Sequence, residues 1–111
     1  MTAKELHDIT APLYAKHPSA KPDCLHWNEI EKRFYSGHCA AHPDYSDWPC
    51  SPFAATLIIQ GHLFEWLCRK GNAKTVTCVN QRWYVHDWRS SGRGATMLHA
   101  LIEAAMEVPV C

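Results

Sequence analysis

No catalytic signature punctuates this 111-residue chain. The patterns Gly-x-Ser-x-Gly, Gly-x-x-x-x-Gly-Lys-Ser/Thr, Gly-x-Gly-x-x-Gly and His-Glu-x-x-His are all missing. Without them there is no nucleophile elbow, phosphate-cradling loop, dinucleotide turn or zinc-protease helix on which to build a reaction. Among 11 Asp and Glu residues no pair stands out as the two carboxylates of a glycosidase. The expectation is a non-enzymatic protein. Net charge is lacking too, because 11 Lys and Arg balance the acids, so bulk electrostatics recommend neither nucleic acid nor a membrane surface as partner. Long apolar runs are also scarce. The longest, around 53–67, is interrupted by Gln60, His62 and Glu65 and makes no membrane span. The first eight residues hold no signal-like apolar stretch, so a cytoplasmic location is expected. In that compartment six cysteines are expected to be thiols or metal ligands, although their even number would also suit an oxidised framework.

What is present points to one folded α+β domain over residues 1–111. Five Trp, four Tyr and three Phe argue against disorder. The organising stretch is Thr75 to Met106. Thr75–Val79 and Arg82–Trp88 are rich in β-branched and aromatic residues, and Asn80-Gln81 between them is short enough for a hairpin turn. A polar loop (Arg89–Gly94) follows. From Ala95 to Val108 the spacing of Met97, Leu98, Leu101, Ile102 and Ala105 predicts an amphipathic helix, stopped by Pro109. Both strands carry apolar residues on both alternating sets, which predicts a sheet covered on both faces.

Upstream, Thr2 and Glu5 form a capping box for a helix over residues 2–16, which Pro12 is expected to kink or shorten. Residues 17–22 read as an extended linker. Leu25–Tyr35 reads as a short helix capped by Asp23 and ended by Gly37. Residues 36–52 form an irregular, turn-rich loop. Ser51-Pro52 starts a second helix, running to about Cys68, with Phe53, Leu57, Ile58, Phe64 and Leu67 on its apolar side. Arg69 and Lys70 complement its C-terminal dipole. The fold expected is a small antiparallel sheet, the hairpin Thr75–Trp88, covered by α-helices. Residues 43–111 make the helix–hairpin–helix sandwich, and residues 1–42 a helical or irregular extension.

The order Pro43-Asp44-Tyr45-Ser46, amphipathic helix, Trp-containing hairpin, then Gly94-Ala95-Thr96 leading an Ala-rich helix (Ala100, Ala104, Ala105) resembles the small bacteriophage proteins of the phage ABA-sandwich domain type, over residues 43–107. The resemblance implies helices over a small antiparallel sheet in a phage or prophage accessory protein. It carries no catalytic residues over, and the Cys/His-rich region before Tyr45 departs from the pattern. On that basis the expected function is binding of a host protein, with inhibition of a host defence system as one form of it.

Two groups of residues carry candidate chemistry. Between Arg69 and Arg93 six cations meet one acid, a local charge of +5. Within it Arg82, Trp83, Tyr84, Trp88, Arg89 and Arg93 set guanidinium groups beside aromatic faces, a composition suited to protein interfaces. It also suits base stacking with phosphate contacts, so nucleic-acid binding through residues 69–93 is an alternative. The second group is Cys24-x-His26, His38-Cys39-x-x-His42 and Cys50, six potential ligands within 27 residues. A structural zinc would take Cys39 and His42 on one side, Cys24 or His26 from a second segment, and Cys50, with Cys24, Cys39, His42 and Cys50 as the set expected. No C-x-x-C knuckle is present, and the bland reading is a chain of buried thiols and surface imidazoles with no cofactor. Gly92-Arg93-Gly94 at a helix start offers a weak anion site, or simply a turn.

Overall fold

The computed structural model describes residues 1–37, 48–70, 75–86 and 91–110. Among these, three α-helices and two three-stranded antiparallel sheets make an α+β fold. The elements are α1 (Ala3–Lys16), β1 (Leu25–Asn28), β2 (Arg33–Ser36), β3 (Trp48–Cys50), α2 (Pro52–Arg69), β4 (Thr75–Val79), β5 (Arg82–His86), β6 (Ser91–Gly94) and α3 (Met97–Met106). A single 3-10 turn, Pro18–Ala20, interrupts the linker after α1.

Each helix begins on the cap its sequence supplies. Thr2 Oγ1 accepts from the Glu5 N–H at 3.1 Å, Ser51 Oγ from Ala54 at 3.1 Å, and Thr96 Oγ1 from His99 at 3.1 Å. Those bonds satisfy N–H groups that the first helical turn leaves unpaired. Pro12 does not shorten α1, which continues to Lys16. Pro12 and Asp8 both face solvent, so water can take the carbonyl that proline leaves without a donor. The end of α1 is tied to the end of α3. Lys16 Nζ donates to the Met106 carbonyl, and His17 Nε2 donates to the Val108 carbonyl at 2.9 Å.

The helix expected over Leu25–Tyr35 is instead the β1–β2 hairpin, in register Leu25 with Ser36 and Asn28 with Arg33. The reason is local. The Asn28 side chain accepts from the N–H groups of Ile30 at 3.0 Å and Glu31 at 2.9 Å, folding the chain into a turn that competes with helix. Lys32 then takes a left-handed φ of 54°, which no α-helix continues. Asp23 therefore caps no helix. Part of the irregular loop expected over 36–52 is strand β3, which adds to β2 with Phe34 opposite Cys50. Residues 38–47 lie outside the described part.

The second sheet is ordered β4-β5-β6. Asn80 and Gln81 have φ of 51° and 64°, the two-residue primed turn expected of them. The polar loop expected through Gly94 is, from Ser91 on, strand β6. Its glycines bring it against the backbone of α3. A Cβ added at Gly92 would stand 2.0 Å from the Ala100 carbonyl oxygen, and one at Gly94 would stand 2.7 Å from His99 Cβ. Only a residue without a side chain permits that approach.

The apolar interior has two centres threaded by the same helices. One joins Leu6, Leu25, Phe34, Cys50, Ala55, Ile59 and Leu98 under the first sheet. The other joins Leu13, Leu63, Trp66, Leu67, Val85, Leu101 and the α3 alanines under the second. Each helix thus alternates between sheets along its length. Trp66 is anchored in the second centre, with its indole N–H donating to Ser19 Oγ at 2.9 Å.

Candidate functional site

A clustered departure from the expected burial is on α2. Ala55, Ile59, Leu63, Trp66 and Leu67 face inward. Of the five residues assigned to its apolar side, Phe53 is 74% exposed, Leu57 54% and Phe64 36%. At about 100° per residue these three fall within roughly 40° of one another, along a stripe about 16 Å long. No charged residue interrupts it, because α2 carries none before Glu65. A helix apolar all round is ordinarily buried all round, whereas this one leaves a side open. The stripe runs into a groove of about 240 Å³ lined by Gln60, Gly61, Phe64, Val76, Met97 and Leu101. The groove is roomy beside Gly61, where an added Cβ would meet nothing within 4 Å. Apolar surface of this extent, with a hollow for an inserted side chain, is the usual mark of an interaction site.

The basic, aromatic segment is split by the sheet it belongs to. In the second sheet Cys78, Trp83 and Gly94 are opposite one another, as are Thr77, Tyr84 and Arg93. Trp83 therefore shares the inner face with Val85 and packs, half-buried, against the core. Arg82, Tyr84 and Arg93 share the outer face, where both arginines are exposed. Trp88 and Arg89 lie outside the described residues. The expectation that the sheet is covered on both faces is not met: α3 covers the inner face, and the outer side chains of Thr77, Val79, Arg82 and Arg93 are exposed. The alternation of apolar residues overstated burial because Thr77 and Val79 are β-formers that here face water.

Of the four candidate zinc ligands, Cys39 and His42 lie outside the described residues. Cys24 is exposed and Cys50 buried. Cys24 precedes β1, its carbonyl accepting from the Gly37 N–H at 2.9 Å, and Cys50 stands opposite Phe34 on the far side of β2. Across the sheet the two stand two strands apart and are offset along it, Cys24 lying beyond the Leu25–Ser36 pair and Cys50 level with Phe34. Burial pushes the Cys50 thiol up, partly offset by a hydrogen bond with the Ser36 side chain, and the charge of the neighbouring Cys24 thiolate adds to the rise. Among the described residues no three His, Cys, Asp or Glu side chains converge as metal ligands. Gly92 and Gly94 serve the strand–helix contact described above.

Elsewhere the polar groups serve the β1–β2 turn. Glu29 is held below the usual carboxylate range by hydrogen bonds from Lys32 and from the Trp27 indole. The Tyr35 phenol is pushed up by its hydrogen bond to Glu31. Glu29 is exposed and Tyr35 half-buried, and both decorate the turn.

No protein-family model matches the chain, and no curated protein or solved structure matches it either.

Proposed function

We propose that this is a non-enzymatic binding protein whose partner is another protein, docked on the outer face of α2 and the groove beside Gly61. The observation that carries the reading is the uncharged stripe of Phe53, Leu57 and Phe64, with the adjoining apolar groove. A partner segment laying apolar side chains along such a stripe gains affinity chiefly by removing them from water, about 25 cal/mol per Å² of apolar surface. The phage-type resemblance makes that partner a host protein, with a component of a defence system as the specific form of the proposal. Its setting would be the host cytoplasm.

A photo-crosslinking residue at position 57 tests it in cells. The expected result is a discrete adduct with one partner, lost when Phe64→Asp is added while the circular dichroism and thermal midpoint stay unchanged. Adducts distributed without preference, or a discrete adduct indifferent to Phe64→Asp, would defeat the reading. A second reading has one supporting observation, the exposed Arg82 and Arg93 sharing a sheet face with Tyr84. If that face binds nucleic acid, the affinity falls steeply with added salt and Arg82→Gln with Arg93→Gln removes it. Trp83, turned inward, weakens this alternative.

A further inference from the structure

We infer that the chain also binds a small, flat aromatic acid in the cavity between α1 and the β1–β2 hairpin, a site separate from the outer face of α2. The cavity measures about 320 Å³, within the range of small-molecule pockets. Its walls are rings: Trp27 and Phe34 from the hairpin, and Tyr14 from α1. Trp27 is fixed in place on two sides, stacked on His7 at 4.2 Å and 6° and edge-on to Phe34 at 4.9 Å. A wall so held requires little ordering when a ligand arrives. The space exists because α1 presents alanines here, Ala11 and Ala15, where larger side chains would close it.

The polar groups around the cavity are mostly occupied or closed off. Thr10 Oγ1 donates to the Leu6 carbonyl at 2.9 Å. The Tyr14 hydroxyl is sealed from water beside the Thr10 side chain. Water in such a space finds few hydrogen-bonding groups, and an apolar ring displaces it favourably.

The preference for an acid comes from Lys21. Its side chain lines this cavity and also a second hollow, of about 510 Å³, that holds Arg69 and Lys70. Three cations against one carboxylate, Asp23, line that hollow. Among the described residues Lys21 forms no ion pair. An aromatic cavity opening beside a hollow with an excess of positive charge matches a ligand that is apolar at one end and anionic at the other.

Titration with 1-naphthoate, followed by ¹H–¹⁵N correlation spectra, tests the inference, with 1-naphthalenemethanol as the neutral control. The expected result is saturable shifts centred on Ala11, Ala15 and the Trp27 indole. Naphthoate should bind about threefold to fivefold tighter than the alcohol, the size of an exposed ion pair. Lys21→Met should equalise the two ligands, and Ala11→Phe should abolish both while the fold is retained. If Ala11→Phe does not fold, the wild-type shift map decides alone. No saturable shift up to the solubility limit overturns the site, as do shifts centred on Phe53, Leu57 and Phe64. Equal binding of acid and alcohol, unchanged by Lys21→Met, overturns the assignment of an acid. Apart from shifts centred on Phe53, Leu57 and Phe64, none of these outcomes bears on the protein partner proposed for α2.

Discussion

Helices α2 and α3 are made of similar material and meet different fates. Each begins on a hydroxyl cap, and each is apolar well beyond the stripe a surface helix needs. Yet α3 has the second sheet pressed onto it, with Leu98, Ala100, Leu101, Ala104 and Ala105 all buried, while α2 keeps Phe53, Leu57 and Phe64 toward solvent. The difference does not lie in hydrophobicity. It lies in whether a second surface can come close. The alanines of α3 and the glycines of β6 let two backbones meet, whereas Phe53 and Leu57 of α2 project into solvent and Phe64 is only partly covered. An apolar helix face is buried when the chain itself supplies a complementary surface; where it does not, the face stays toward solvent.

That contrast can be broken at several points. The largest effect is expected from Leu98→Ala in α3. Leu98 is 1% exposed, and its truncation should lower stability by about 3 kcal/mol through lost burial and the cavity left behind, read as a drop in urea midpoint. Gly92→Ala should cost about 2–3 kcal/mol, because the new methyl must push β6 off α3; an unchanged midpoint would mean that the two backbones are not in contact.

An alkaline limb in the stability profile should follow. Burial raises the Tyr14 phenol well above its ordinary 10.0. The folded chain therefore keeps a proton that the unfolded chain releases, and stability is fully present below about pH 10 and falls as pH rises further. Cys50, raised from 9.0 by burial, adds the same sign from a lower pH. Tyr14→Phe should flatten the upper part of that limb.

A smaller change, in the stabilising direction, is expected in the sheet that covers α3. Gln81→Gly relieves a left-handed residue, φ 64°, and should gain about 1 kcal/mol, raising the thermal midpoint. The smallest effect should come from α2. Leu57→Ala, at a position 54% exposed, should change stability by less than about 0.5 kcal/mol; a loss like that of Leu98→Ala would show α2 to be covered after all.

Much of the scaffold was legible before any coordinates. Thr2 and Ser51 each announce a helix because a capping hydroxyl acts on the N–H groups two or three residues ahead, whereas the helix expected from Ala95 starts at Met97, on a Thr96 cap. Asn80-Gln81 announces its turn by the same short reach. The β1–β2 hairpin was misread because Leu25, Trp27, Ile30 and Phe34 fit a helical spacing loosely, and the Asn28 side chain, with Lys32 left-handed, decided otherwise. Strand β6 was hidden because Gly92 and Gly94 read as turn formers, and their use against α3 exists only once the helix lies there.

The candidate surfaces were less legible still. Periodicity marks which residues of α2 are apolar but is silent about which of them find cover, since burial depends on elements distant in the chain. The grouping of Arg82, Tyr84 and Arg93 apart from Trp83 follows from strand alternation and was available in principle. The meeting of His7, Tyr14, Trp27 and Phe34 around one cavity was not. Local sequence determined caps, turns and the presence of three apolar helices, because those forces act within a few residues. Tertiary packing alone decided which apolar faces closed, which hollow stayed open and which cations stand beside it, because burial is a property of surfaces brought together from across the chain.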